Sequence, residues 1–140
     1  LTKQAVSNII DDLERDGLVV ALDAVRKGRG QPFTPYRLVP EGAFAIGLQI
    51  DRHLARVVVV DLVGNVMARA EANLPLDEPS PGVQTILGLV ADVRRELAGI
   101  SAQSERRLVG LGVAMPGPFG LKESDDKWMM PAWQQFPLLE

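Results

Sequence analysis

Apolar residues recur every three or four positions through Val6, Ile9, Ile10 and Leu13, while Lys3, Gln4, Ser7, Asn8 and Asp11 supply an opposite polar face. That spacing predicts an amphipathic helix. Thr2 stands where a hydroxyl can accept from a first-turn amide, and Gly17 is the expected stop. The period then shortens. Leu18–Leu22 reads as a short strand, a polar loop runs through Pro32, and a second strand is expected around Pro35–Val39. Pro40, Glu41 and Gly42 punctuate the chain, and the pattern changes there. Three strand-like runs follow, Phe44–Ile50, Leu54–Leu62 and Val66–Leu74. A polar turn at Asp51–His53 and the tripeptide Val63–Gly64–Asn65 separate them, which predicts consecutive hairpins. The second run is apolar at nearly every position, the mark of a strand covered on both faces. A proline-rich connector runs from Leu74 to Gly82, within which Ser80 and Pro81 are expected to cap and start a helix. Its apolar stripe is Val83, Ile86, Leu87, Val90, Val93 and Leu97, and its polar face carries Gln84, Asp92, Arg95 and Glu96. Arg107 to Ala114 reads as another buried strand, with Met115–Pro116–Gly117–Pro118 forming a loop at its carboxyl end.

The change of pattern divides the 140 residues into two expected units, 1–40 and 41–140. Helix, strand, basic loop and strand is the layout of a winged helix from its recognition helix onward. Three strands, a helix and a strand is the opening order of the ribonuclease-H-like fold used by actin and sugar kinases. The expected fold class is therefore α/β: a partial winged helix, then the start of an actin-like, ribonuclease-H-like ATPase fold. A helix-turn-helix needs a preceding helix and the last residues close no element, so the chain reads as a fragment.

Composition narrows the chemistry. Apolar residues make up 46% and charged residues 24%, the balance of a globular protein with a packed core. The longest apolar runs, such as Ala55–Val63, fall far short of the roughly 20 residues that span a bilayer, and Arg56 interrupts that one. No basic-apolar-small leader opens the chain, so a cytoplasmic location without membrane contact is expected. The absence of cysteine removes disulfides, thiolate metal sites and thiol catalysis together. The net charge of -3 argues against nucleic acid only on average. Between Ala24 and Pro40 stand Arg26, Lys27, Arg29 and Arg37 with no acid among them. The acids gather instead at Asp11, Asp12, Glu14 and Asp16, and later at Asp77, Glu78, Asp125 and Asp126. A locally basic loop on an acidic chain can still meet phosphate.

The first helix and that loop carry the candidate DNA contacts. A recognition helix sets side chains from its N-terminal half against base edges and offers its end to a phosphate. Gln4 and Asn8 have the paired donor and acceptor that match adenine, and Lys3 can reach guanine or phosphate. Arg29 between Gly28 and Gly30 suits a narrow minor groove, since the glycines allow close backbone approach. The candidates are Thr2, Lys3, Gln4, Ser7, Asn8, Arg26, Lys27, Arg29 and Gln31. Taken singly, such residues also form an ordinary solvated helix face and hairpin tip; their adjacency favours DNA.

The specific segments fall in a telling order. Leu1–Ile10 with Leu13, Gly17 and Leu18–Val20 resembles the recognition helix of winged-helix regulators. Lys27–Pro32 followed by Tyr36–Leu38 resembles the glycine-arginine wing of the ROK family of repressors, open reading frames and kinases. Ile46–Leu48 through Val60–Asp61, then Gly64–Val66, is similar to the first hairpin of that family's kinase-like domain. Gly110–Pro118 resembles its glycine-proline loop, and Trp133–Leu138 its tryptophan-proline-leucine segment. The resemblance implies a sequence-specific DNA-binding regulator, a repressor, controlled by a small sugar or sugar derivative. It also implies a homo-oligomer on a double-stranded operator, with no catalytic residue, metal or cofactor in this stretch. Gly117 matches a glycine that lines the sugar pocket, while Met129 replaces the pocket asparagine. Trp128 and Trp133 suit packing as well as they suit stacking on sugar. The remaining sugar contacts and the family's zinc site would lie beyond Glu140. The rival reading is an ATP-dependent sugar kinase of the same family. Against it, Gln49 stands at the expected aspartate, Asp51 and Arg52 at two glycines, and His53 at the threonine. A carboxylate there would repel the phosphate that small residues and free amides should cradle. His53 has no companion ligands in sequence and reads as a turn histidine.

Overall fold

The structure is a computed structural model and describes residues 2–26, 32–51, 53–74, 79–100 and 102–115. It is a mixed α/β arrangement with two sheets.

Helix α1 runs from Lys3 to Arg15, and the Thr2 hydroxyl accepts from the Ala5 amide at 3.2 Å as its cap. Gly17 follows at φ +71°, a left-handed turn that glycine adopts without a steric penalty. The chain reverses into β1 (Val19–Ala21), which pairs antiparallel with β2 (Tyr36–Leu38). Both strands are shorter than expected, but the hairpin continues beyond them. Leu22 donates to the Pro35 carbonyl at 2.8 Å, and Val25 and Phe33 exchange bonds of 2.9 and 3.1 Å. The two arms thus lead directly to the basic loop.

The second sheet has the order β5-β4-β3-β6. Strands β3 (Phe44–Ile50), β4 (Leu54–Asp61) and β5 (Val66–Asn73) form the expected antiparallel meander. Helix α2 (Pro79–Ile100) crosses one face, a short α3 (Ser104–Arg107) turns the chain, and β6 (Leu108–Ala114) returns parallel to β3. Side chains alternate across a strand, so β3 sends Phe44, Ile46, Leu48 and Ile50 to the helix side, where all four are buried. Ala55, Val57 and Val59 of β4 join them, and α2 answers with Ile86, Leu89, Val93 and Leu97. Complete burial of each large side chain contributes about 1.5–3 kcal/mol, so this layer carries the stability of the sheet unit.

Several expectations need correction: α2 begins at Pro79, so Ser80 and Pro81 lie inside its first turn, and Arg107 ends α3 rather than starting a strand. Leu87 is 56% exposed and Leu89 is buried in its place. At about 100° per residue, Leu87 lies roughly a quarter-turn from the Ile86–Val93–Leu97 line, and Leu89 lies closer to it. Strand β4 is not covered on both faces by the described residues: Arg56 is exposed, and Val58 and Val60 are half-buried. Its apolar run reflects β-branched preference as much as burial. Strand β6 is not buried either; Val109, Leu111 and Val113 are more than half exposed, because only β3 flanks it among the described strands.

Among the described residues, one carboxylate is built into the frame. Asp61, 6% exposed, closes the β4–β5 turn. Its Oδ1 accepts from the Val63 and Asn65 amides at 3.0 and 2.8 Å, and its Oδ2 accepts from the Asn65 side chain at 2.8 Å. Burial raises the Asp61 carboxyl pKa. The bonds from Asn65, Val63 and Gly64 more than offset that and hold it below the ordinary aspartate value. The helix-hairpin unit meets the sheet unit through the short 3-10 turn Pro40–Gly42. There Val39 donates to the Leu18 carbonyl at 2.9 Å and Leu62 to the Pro40 carbonyl at 3.0 Å.

Candidate nucleic-acid interface

Along α1 the charges separate by position. The first turn has no acid and begins with Lys3, while Asp11, Asp12 and Glu14 follow in the second half. The aligned peptide dipoles therefore leave a positive N-terminal end that no carboxylate cancels. Only some first-turn amides find intrahelical acceptors, which makes this end fit for a phosphate oxygen. The Thr2 hydroxyl, though used as an acceptor in the cap, still has its own O–H to donate.

Thr2, Lys3, Gln4, Ser7 and Asn8 are all exposed. Residues four apart on a helix are neighbours, and Gln4 Nε2 donates to Asn8 Oδ1 at 3.1 Å. That bond fixes the two amides relative to each other. It leaves the Gln4 carbonyl oxygen and the Asn8 amide nitrogen as an adjacent acceptor and donor. Adenine presents the complementary pair, N6–H and N7, in the major groove.

Arg26, also exposed, sits where the hairpin arms close, and Arg37 projects from β2 opposite Val20. Lys27, Arg29 and Gln31 lie outside the described residues, as do Arg52 and Gly117. The structure thus brings together the helix candidates and delivers the hairpin to the basic segment.

On the sheet unit, the candidates group around the carboxyl ends of β3 and β6. A shallow groove of about 390 Å³ opens there on the face away from α2, lined by Gly47, Gln49, Arg56, Val58, Gly112 and Ala114. Gly47 pairs with Gly112, and Gln49 with both Arg56 and Ala114. Arg56 is held by Glu71 at 3.1 Å, a salt bridge exposed on both sides. In the adjoining turn the Asp51 amide donates to Leu54 O at 2.8 Å. His53 is exposed, and its carbonyl accepts from Leu74 at 2.9 Å. Among the described residues, no group of three histidine, cysteine or acidic side chains is placed to hold a metal. No described helix is long and apolar enough to cross a membrane.

Sequence reasoning missed Arg107, whose guanidinium meets Asp16 and Gly42, 91 and 65 residues away. No local pattern signals a partner at that separation.

No family model matches the chain. It is similar to an "Uncharacterized protein y4fQ" of Sinorhizobium fredii, with 30% identity over 141 aligned positions. That alignment takes in the whole chain and 34% of the relative. The chain is also similar to a protein named "Xylose repressor" from Caldicellulosiruptor bescii, with 25% identity over 99% of the chain and 34% of that protein. The chain spans about a third of the length of both relatives. Part of a repressor is therefore distantly similar to it from end to end.

Proposed function

We propose that the chain is the DNA-reading and first sheet portion of a sequence-specific transcription regulator of the ROK type, a repressor controlled by a sugar or sugar derivative. The carrying observation is the exposed Lys3–Gln4–Ser7–Asn8 face on a helix whose following hairpin leads into Arg26 and the basic loop. The end-to-end likeness to a protein named a xylose repressor supports the same reading and suggests a pentose-like effector. Residues 1–40 act as the later part of a winged helix, with Lys27, Arg29 and Gln31 at the wing. Residues 41–140 act as the start of an actin-like domain. The meander order and the parallel return of β6 beside β3 agree with that assignment. Gly117 is the proposed ligand contact, beyond a strand end that suits a binding crevice in an open α/β sheet. The regulator works in the cytoplasm as a homo-oligomer on a two-fold operator. No enzymatic step is assigned, because Gln49, Asp51 and His53 stand where a phosphate loop needs an aspartate and small residues, and the Asp51 amide is already engaged.

Gel-shift titration of the full-length protein tests this. Affinity for a selected operator falls steeply with salt as Lys3, Arg26 and the wing displace counterions. Gln4→Ala costs about 1–3 kcal/mol on the operator and relaxes preference at one base position. A flat salt response, or an unchanged preference profile in the variant, would sink the assignment.

A further inference from the structure

Arg107 stands at the junction of α3 and β6 and is half-buried. Its Nη1 donates to the Gly42 carbonyl at 2.9 Å and to the Asp16 carbonyl at 3.3 Å, while Nε donates to the Gln103 side chain at 3.4 Å. Asp16 is the C-cap of α1, so the cation sits at the negative end of that helix. The backbones leave room for little else. A Cβ on Gly17 would lie 2.9 Å from Arg107 Nη2, and one on Gly42 would lie 2.9 Å from the Gly17 carbonyl oxygen. Two glycines and one guanidinium thus make the joint between the helix-hairpin unit and the sheet unit. The joint is anchored in turn: Glu105, two residues before Arg107, takes a two-pronged bond from Arg94 of α2 at 3.2 and 2.6 Å.

We propose that Arg107 is a positioning residue for DNA reading, fixing the direction in which α1 leaves the sheet unit. The proposal rests on the regulator reading above. In a symmetric dimer that direction sets the separation of the two reading helices, hence the half-site spacing the protein accepts. The guanidinium reaches the two carbonyls through Nη1 and Gln103 through Nε, whereas an ammonium offers one nitrogen on a flexible stem.

The test uses the full-length protein and its Arg107→Ala and Arg107→Lys variants. Operators keep constant half-sites while the spacer changes by one or two base pairs. The preference of the parent for its best spacing narrows in Arg107→Ala by roughly five-fold, in line with the worth of a cation at a partly buried helix end. Affinity for an isolated half-site stays within about two-fold, since α1 itself is intact. Arg107→Lys falls between the two, and amide exchange at Gly17, Leu18 and Gly42 speeds up in Arg107→Ala. An unchanged spacing profile overturns the proposal, as does a half-site loss as large as the loss on the full operator. If the parent shows no operator preference, the regulator reading fails and this role fails with it. Faster exchange at Gly17 and Leu18 would then locate the fault in the function rather than in the joint.

Discussion

The helix-hairpin unit and the sheet unit carry equally regular apolar patterns, yet they use them differently. In α1 no residue is buried, and Val6 and Ile9 remain nearly half exposed. Phe33 and Leu38 of the hairpin are exposed to the same degree. Across the 3-10 turn, Phe44, Val57, Val59, Val93 and Leu97 are almost completely enclosed. Periodicity therefore predicts which face is apolar, but a second layer decides whether that face is a core. In the sheet unit α2 supplies that layer. The function of the helix-hairpin unit must accordingly be read from its polar face and basic loop, since packing explains little of its form.

The largest expected effect tests that contrast directly. Phe44→Ala removes a ring from the enclosed layer and costs about 3–5 kcal/mol in urea unfolding. In the 140-residue chain, Ile9→Ala costs less than about 0.5 kcal/mol, because a half-exposed side chain is exchanged for the best helix former. Repeating Ile9→Ala in the full-length protein adds a second outcome. A cost there near that of a core leucine would show that other parts of the protein cover α1, as a winged helix requires. Equal costs for the two variants in the shorter chain would remove the contrast altogether.

A smaller effect concerns the cap. Replacing Thr2 with alanine leaves the Ala5 amide without its acceptor and costs about 1 kcal/mol of local helix stability. With no buried residue to hold α1, that loss appears as fraying of its first turns. Amide exchange at Ala5 to Asn8 accelerates, while the denaturant midpoint of the sheet unit stays unchanged. A shift of that midpoint would mean that the two units unfold together.

Much of this was legible in the sequence, for physical reasons that differ by element. The α1 cap and stop, the meander with its turns, and the return of a strand after α2 all follow from local spacing and turn residues. Gln4 and Asn8 were read as one exposed polar face, and the bond between them is a finding of the structure. What was not legible depends on neighbours distant in sequence. Leu87 and Leu89 are both leucines on one helix, and only the position of the sheet beneath α2 selects between them. The openness of β4 and β6 depends on which strands and helices flank them. Arg107 looked like the first residue of a strand, and its two carbonyl partners lie in other elements. Of the candidate DNA contacts those on the helix are placed, whereas Lys27, Arg29 and Gln31, like the candidate ligand contact Gly117, lie outside the described residues and rest on sequence alone.

The effect most local to the sheet unit comes from Asp61, and it depends on pH. Its folded carboxyl is held below the ordinary aspartate value, because the amide bonds of Asn65, Val63 and Gly64 outweigh the cost of burial. The ionised form is therefore favoured by folding, and its contribution is full above the unfolded value of about 3.9. It is lost as pH falls through that value toward the lower folded one. Asparagine at this position keeps an acceptor for the two backbone amides but loses the charge that strengthens those bonds. Asp61→Asn therefore lowers Tm at neutral pH, and the gap to the parent closes as pH drops below about 4, where the parent loses the same bonds. Thermal melts of both proteins from neutral pH into the acid range measure the gap. Parallel curves across that range would show that the turn does not depend on the Asp61 charge.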